Sequence, residues 1–190
     1  MKIEGRIEFE ARSIHWLEAL SAARASPAAG SAAAIVGALG VALLIKLAQF
    51  TRPQDISDHG RLLDRLLSAR DRLAALADAD SSATTTWIRT QRLPANDPAR
   101  QAALRAMVNV PLEAAELCRT ITIEARPLLE RGHPPALPDG QVGIQLLEAC
   151  QRAMSSLVRA NLPVLAGTNL AEATQTRLEQ LNAKREEADD

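Results

Sequence analysis

The sequence has few of the residues that usually fill a core or mark a site. It contains no tyrosine, and aromatic residues make up 2% of its 190 residues. The core must therefore be built from alanine, leucine, valine and isoleucine, which favours closely packed helices. The formal net charge of −1 gives no argument for a nucleic-acid or membrane partner. The length suits one domain over residues 1–190, or a compact subunit of an oligomer.

Cysteines and recognised catalytic motifs are also scarce. Cys118 and Cys150 do not match a metal-ligand spacing, and each lies in an apolar helical pattern that favours a buried, reduced thiol. The charged start MKIEGRIEFEAR does not resemble an export signal, so we expect a cytoplasmic protein. No GxSxG, Walker loop, HExxH, CxxC pair or Rossmann fingerprint is present, and no metal site is predicted.

Charge is missing altogether from one long stretch. Residues 26–45 begin SPAAGSAAAIVGALG and form an uncharged run long enough to span a bilayer. The first half is alanine, glycine and serine, which contribute little transfer energy, and the helices around it are amphipathic. We therefore interpret the run as a core helix and not as a membrane span. Gly37 and Gly40 would allow a neighbouring backbone to approach closely.

Apolar residues recur at helical spacing along the rest of the chain, and no stretch alternates for long enough to be a strand. The sequence predicts an all-α fold, a bundle of about five to six helices with a central, buried Ala/Gly-rich helix. Pro111 and Pro127 are expected to kink or break the helix that contains them. The predicted helical segments are 13–25, 30–50, 57–91, 98–131, 138–161 and 169–187.

Three features are candidates for a binding or catalytic site. Small residues at 26–31 have free N–H groups that can accept an anion or a polar heterocycle, although close helix packing also explains them. Asp78 and Asp80 lie in a leucine-lined helix and point about 200° apart, so at most one faces the core, and the residues alone favour solvation of both. Asp139 is an expected N-cap, which alone explains it, and a capping carboxylate is also well placed to meet a ligand.

These features, in this order, resemble the cyclodeaminase/cyclohydrolase family of folate enzymes. That family includes the C-terminal domain of formiminotransferase-cyclodeaminase and stand-alone methenyltetrahydrofolate cyclohydrolases. Its Thr-Pro-Gly-Gly-Gly-Ser element is similar to Ser-Pro-Ala-Ala-Gly-Ser at 26–31. The resemblance covers nearly the whole chain, and its strength lies in the order and spacing of the motifs. Further similar stretches are LADADS at 76–81, RLP at 92–94, VPLEAAE at 110–116, PDGQV at 138–142 and NL at 161–162.

The chain departs from the family pattern at several places. Ala28 and Ala29 replace two loop glycines, where a methyl group would obstruct a left-handed backbone or a close ligand. The sequence Arg-Pro-Gln-Asp at 52–55 replaces a lysine-rich stretch, and Thr84 replaces an aromatic residue. These changes fit either an altered pterin substrate or a binding or assembly protein that keeps the scaffold without catalysis.

The resemblance implies chemistry at the one-carbon bridge between N5 and N10 of tetrahydrofolate or a related pterin, with no metal or cofactor required. It implies that Asp139 stabilises the cation and transfers a proton, and that Asp80 or Asp78 binds the pterin or assists. We expect this reaction to be either the hydrolysis of a methenyl bridge or the cyclisation of a formimino group with loss of ammonia.

The resemblance also implies a set of substrate-binding residues and a homodimer. Gly30 and Ser31 would bind through N–H and hydroxyl groups, and Asn161 would join them. Arg92, or Arg89, would meet the glutamate tail of a folate. The glycine helix would be central, with the ligand cleft near the subunit contact. The hypothesis requires Gly30 and Asp139 to reach the same pocket.

Overall fold

A computed structural model describes residues 9–165 and 169–189, and the surroundings of the side chains at 14–165 and 170–181. This part of the chain contains α-helices joined by short turns and no strand, which confirms the predicted all-α class. The helices are α1 (Phe9–Ser21), α2 (Ala29–Phe50), α3 (His59–Thr90), α4 (Pro98–Glu124), α5 (Arg126–Arg131), α6 (Leu137–Asn161) and α7 (Asn169–Asp189).

Four long helices form an antiparallel bundle in the order α2, α3, α4, α6, and α6 closes the ring against α2. The direction of α6 follows from its contacts, because Gly37 faces Cys150 whereas Leu47 faces Gly140. The direction of α4 follows from two ion pairs to α3, Arg65–Glu124 and Arg72–Glu113. Because each helix runs against both neighbours, the start of α2 lies at the same end of the bundle as the ends of α3 and α6.

Helix α2 is apolar on all sides, which is why it packs against two helices at once. Val41, Leu44 and Leu47 are fully buried in the core between α2, α3 and α6. By length and composition α2 could cross a membrane, with a mean hydropathy of 2.1, yet 56% of that window is buried inside the bundle. This burial supports the interpretation of α2 as a core helix. Leu39 nevertheless points outward and is 55% exposed.

Proline has different effects at its two positions in the fourth predicted segment. Near Pro127 the helix breaks at Ala125, and α5 begins at Arg126, as predicted. At Pro111 α4 continues without a break. The first predicted segment, 13–25, is displaced toward the N-terminus, because α1 begins at Phe9 and ends at Ser21. After the end of α1, the Arg24 Nε–H donates to the carbonyl oxygen of Ala19.

The prediction that Asp139 is a helix N-cap is wrong. Helix α6 already begins at Leu137, with Pro138 in its first turn, and the N-cap position belongs to Ala136. Proline has no N–H to donate and its fixed φ suits the first turn, so the helix starts before the aspartate. Asp139 therefore lies within the first turn, where the helix dipole still favours its charge.

The crossing of α2 and α6 depends on a pair of glycines. A Cβ on Gly40 would lie 2.7 Å from the carbonyl oxygen of Gly143, and a Cβ on Gly143 would lie 2.8 Å from that of Gly40. Real Cβ atoms do not approach backbone oxygen so closely, so either methyl group would push the helices apart.

We expect Gly40→Ala to lower the free energy of unfolding by about 1–3 kcal/mol, because the added methyl overpacks the contact between two backbones. Gly60→Ala is the matched control, since a Cβ at Gly60 meets nothing within 4 Å. The control should be neutral or stabilising by up to about 1 kcal/mol, from helix propensity alone. Urea denaturation measures both, and equal effects of the two substitutions would contradict the close crossing.

Candidate functional site

The carboxylate of Asp80 lies directly against the first turn of α2. Gly30 makes this possible, because a Cβ at that position would fall on the carboxylate itself. The Ser31 hydroxyl donates to Asp80 Oδ2 at 3.1 Å, and the Ser31 backbone N–H donates to the same side chain. The start of α2 thus binds a carboxylate through Ser31, as the positive end of a helix favours.

Two further serines extend this contact. The Ser81 and Ser31 hydroxyl oxygens are 2.9 Å apart, and the Ser26 hydroxyl donates to the carbonyl oxygen of Ser81 at 3.4 Å. When Asp80 is ionised, Ser31 donates to it and Ser81 donates to Ser31. When Asp80 is protonated, each hydroxyl can turn and the order of donation reverses. The chain of oxygens therefore accommodates either protonation state of Asp80.

The environment of Asp80 favours its neutral form. Burial raises the pKa of Asp80 above the usual aspartate value, and the hydroxyl and N–H of Ser31 lower it in part. A carboxyl group with a raised pKa beside rotatable hydroxyls can both give and accept a proton. Among the residues whose side chains are described, no group of three His, Cys, Asp or Glu could hold a metal ion.

The two alanines that replace loop glycines fit the backbone here. Ala28 is the N-cap of α2 with φ of −138°, an extended conformation open to any residue, and Ala29 is the first helical residue. In the described part of the chain Asp58 is the one non-glycine residue with positive φ. The obstruction expected from a left-handed backbone at these two positions is therefore absent.

Asp78 and Arg92 lie at the same end of the bundle as Asp80 but contribute differently. Asp78 is exposed whereas Asp80 is half-buried, in line with the opposite directions predicted for the pair. Arg92 is exposed in the turn after α3, which ends at Thr90, about 15 Å along the helix from Asp80. Arg92 can thus reach only the distal part of a ligand that is held at Asp80.

Asn161 lies at the same end of the bundle and has a structural partner. Its Nδ2 donates to the carbonyl oxygen of Met107 at 3.1 Å. In a regular helix that oxygen would accept from the N–H of residue 111, but residue 111 is proline and has no N–H. Asn161 therefore satisfies the acceptor that Pro111 leaves free, which explains why α4 passes through Pro111 without a break.

Asp139 lies at the opposite end of α2 from Gly30 within the same subunit. Its Oδ2 is 2.8 Å from Lys46 Nζ. Sixteen residues of helix separate Lys46 from Gly30, which is about 24 Å at the rise of an α-helix. One subunit alone thus does not bring Asp139 to the carboxylate site, contrary to the convergence that the sequence predicted.

Sequence reasoning missed two partners at these positions. Ser81 directly follows Asp80, and its role as the middle hydroxyl of the chain depends on how α2 and α3 pack. Lys46 had a visible signal, because it is the first charge after the uncharged run and one of only three lysines in the chain. A single charge on such a helix needs a partner, and Asp139 supplies it.

The fold and the site define a class of protein. It is an antiparallel helical bundle in which a carboxylate lies at the start of an Ala/Gly-rich helix. The family model for formiminotransferase-cyclodeaminase matches residues 13–180. The chain therefore belongs to the formiminotransferase-cyclodeaminase family, as its motifs predicted.

Individual relatives agree with this assignment. Formimidoyltransferase-cyclodeaminase of Rattus norvegicus is 31% identical over 175 residues, which cover 85% of this chain and 32% of the relative. The chain thus spans about a third of the length of that relative. Methenyltetrahydrofolate cyclohydrolase of Methylorubrum extorquens is 26% identical and is covered to 88%. The crystal structure of formiminotetrahydrofolate cyclodeaminase from Thermotoga maritima has the same fold, with a TM-score of 0.82 at 22% identity over 90% of this chain and 88% of that one.

The raised pKa of Asp80 should appear in the pH dependence of stability. The folded state holds this proton more tightly than the unfolded state, so Asp80 contributes less stability as pH rises from the usual aspartate pKa of about 3.9 through the raised value. Asp80→Asn cannot titrate. The free energy of unfolding of the wild type, relative to Asp80→Asn, should therefore fall across this range in urea titrations. A constant difference would contradict the effect of burial.

The contact between Asn161 and Pro111 predicts a specific double-mutant cycle. Asn161→Ala should lower the free energy of unfolding by about 1–3 kcal/mol, because it leaves the carbonyl oxygen of Met107 without its donor. In a Pro111→Ala background the restored N–H can take over, and the same substitution should cost clearly less. Additive losses in urea denaturation would show that Asn161 does not act through the proline.

Proposed function

We propose that this protein catalyses ring opening or closure at the one-carbon bridge between N5 and N10 of tetrahydrofolate or a related reduced pterin. The observation that carries the proposal is the carboxylate of Asp80 held against Gly30 and Ser31 at the start of α2. The names of two relatives, a cyclodeaminase and a cyclohydrolase, support this class of reaction. We propose no metal and no cofactor, with the pterin as substrate.

Asp80 is the proposed proton-transfer group. In the hydrolytic direction, water forms a C–O bond to the methenyl carbon and its proton passes to the Asp80 carboxylate. The carbon–N5 bond then breaks, Asp80 returns that proton to N5, and the new C–OH loses its proton to solvent as the formyl group forms. The Ser31 and Ser81 hydroxyls reorient as Asp80 changes its charge, which keeps the carboxyl group hydrogen-bonded in both states.

The same proposal assigns the remaining candidates. The N–H groups of the first turn of α2 that Asp80 does not use would bind acceptor atoms of the pterin ring. Arg92, exposed beyond the end of α3, would meet the carboxylates of a glutamate tail. Asp78, which is exposed, would be solvated. We further propose that the protein acts as a homodimer in the cytoplasm, where its two buried cysteines stay reduced.

The test begins with binding and continues with turnover. A thermal-shift panel of reduced folates and methanopterins should contain at least one compound that raises the Tm, because a specific ligand stabilises the folded state. The absorbance of methenyltetrahydrofolate, and the release of ammonia from formiminotetrahydrofolate, then report the direction of the reaction. Binding without turnover would favour the alternative function, a pterin-binding or assembly protein on the same scaffold.

Two substitutions locate the chemistry. Asp80→Asn should lower kcat roughly 10²–10⁴-fold, the usual contribution of a general acid–base group. Gly30→Ala should act similarly, because its methyl group displaces the Asp80 carboxylate. Asp71→Asn is the matched control, an exposed aspartate on the same helix, and should keep the wild-type rate. Full activity of Asp80→Asn would overturn the assignment.

A further inference from the structure

Helix α3 extends well beyond the point at which Asp80 meets the start of α2. It continues to Thr90, about 15 Å further along its axis. Because the neighbouring α2 begins only at Ala29, this last part of α3 projects past the first turn of α2. Trp87 lies on it, two turns after Asp80, on nearly the same face of α3 and about 10 Å away along the axis. A ligand that extends from Asp80 along α3 would therefore reach Trp87.

Arg100, in the first turn of α4, is held against Trp87. Its Cζ lies 5.9 Å from the centroid of the indole ring, which is a cation–π contact. Its Nη1 donates to the carbonyl oxygen of Leu93 at 2.7 Å, and Trp87 itself packs against the core. The ring contact and the hydrogen bond together hold the planar guanidinium in one orientation. Little conformational entropy is therefore lost when this group binds a ligand.

The edge of Arg100 that carries Nε and Nη2 has no acceptor among the residues that the structure describes. Asp97, the nearest acidic residue in the sequence, instead caps α4 by accepting from the backbone N–H groups of Ala99 and Arg100. In Arg72 and Arg177 the same two nitrogens bind both oxygens of a glutamate carboxylate. Arg100 thus presents, unpaired, the fork that this chain uses elsewhere to bind a carboxylate.

We propose that Arg100 binds, through Nε and Nη2, a carboxylate group of the ligand held at Asp80, and that Trp87 positions Arg100 for this contact. The inference rests on the proposed function for the identity of the ligand, and on the contacts of Arg100 for the site itself. Arg92 differs, because it is exposed in the turn after α3 and no contact in the described part of the chain fixes it. Arg92 would then meet only a carboxylate further along a glutamate tail.

The separation of Asp80 and Trp87 favours one class of ligand. In a folate, an aminobenzoyl group and an amide lie between the one-carbon bridge and the first glutamate. This spacer is comparable in length to the rise of α3 from Asp80 to Trp87, about 10 Å. A reduced pterin without an anionic tail would make no use of Arg100. We therefore expect a tail carboxylate to strengthen binding about 10–100-fold, the usual strength of hydrogen bonds to a charged group.

Steady-state kinetics with the reduced folate that is turned over test the role of Arg100. Arg100→Gln should raise KM about 10–100-fold and leave kcat nearly unchanged, because the contact lies away from the reacting carbon and is made equally in the ground state and the transition state. Arg105→Gln is the charge-matched control, an exposed arginine on the same helix, and should keep the wild-type KM. An unchanged KM in Arg100→Gln would overturn the assignment.

A second control separates binding of a ligand from anchoring of the turn between α3 and α4. Gln101 Nε2 donates to the carbonyl oxygen of Ala95 at 2.6 Å, so Gln101 anchors the same turn as the bond from Arg100 to Leu93 but carries no charge. Gln101→Ala should keep the wild-type KM. An equal increase in KM for Gln101→Ala and Arg100→Gln would show that Arg100 acts only by holding the turn, which overturns the proposal.

Trp87 is tested as a positioning residue by comparing two substitutions. Trp87→Leu removes the ring beneath Arg100 and should raise KM about 2–30-fold, the range of a cation–π contact. Trp87→Phe keeps an aromatic face and should restore most of the loss. Equal KM values for the two variants would overturn the role of Trp87. Circular dichroism checks that both variants are folded.

Isothermal titration calorimetry tests the site without reference to turnover. 5-Formyltetrahydrofolate carries the anionic tail, whereas 6-methyltetrahydropterin lacks it. Arg100→Gln should weaken binding of the first compound about 10–100-fold and leave binding of the second unchanged. Equal weakening of both would overturn the proposal, since the loss would then not concern the tail.

The two experiments together distinguish failure of this inference from failure of the proposed function. Binding of 5-formyltetrahydrofolate that depends on Arg100, without turnover of any reduced folate, would refute the proposed function alone. Turnover of a reduced folate that does not depend on Arg100 would refute this inference alone. Binding of neither compound, without turnover, would refute both.

Discussion

The close contact of α2 and α6 at Gly40 and Gly143 is the constraint on which the rest of the bundle depends. Each glycine leaves space for the other's carbonyl oxygen, so the two backbones pack without intervening side chains. The same close packing of α2 against its neighbours places Gly37 in contact with the free thiols of Cys118 and Cys150, and Leu47 in contact with Gly140. With so few aromatic residues, the protein obtains a dense core by bringing backbones together and not by enlarging side chains.

Helix α2 combines two tasks in one element. Its inner side fills the core, and its first turn holds the Asp80 carboxylate. Small residues make this possible, because each task requires something to approach the helix closely. A helix with bulkier residues at Gly30 or Gly40 would keep its helical form but would lose the site or the crossing.

Much of the fold could be predicted from the sequence, because helical periodicity and the Asn-Asp-Pro start of α4 are local signals. The Asp-Pro start is confirmed by Asp97, whose side chain accepts from the N–H groups of Ala99 and Arg100. The site was only half predictable. The family resemblance, added to local patterns, made Gly30, Ser31 and Asp80 site candidates, but no local pattern states that antiparallel packing separates Asp139 from them by the length of α2. The cap at Asp139 failed because Pro138 fits inside a first turn as well as before one.

The bond from Asn161 to the carbonyl of Met107 has a consequence for how this chain varies in evolution. A proline within α4 leaves a carbonyl oxygen without its helical donor, and a side chain from α6 supplies one, so we expect the two positions, fifty residues apart, to vary together. A relative with another residue in place of the proline should not need the asparagine, whereas a relative that keeps the proline should. Covariation between columns 111 and 161 should therefore mark a backbone repair and not a shared ligand.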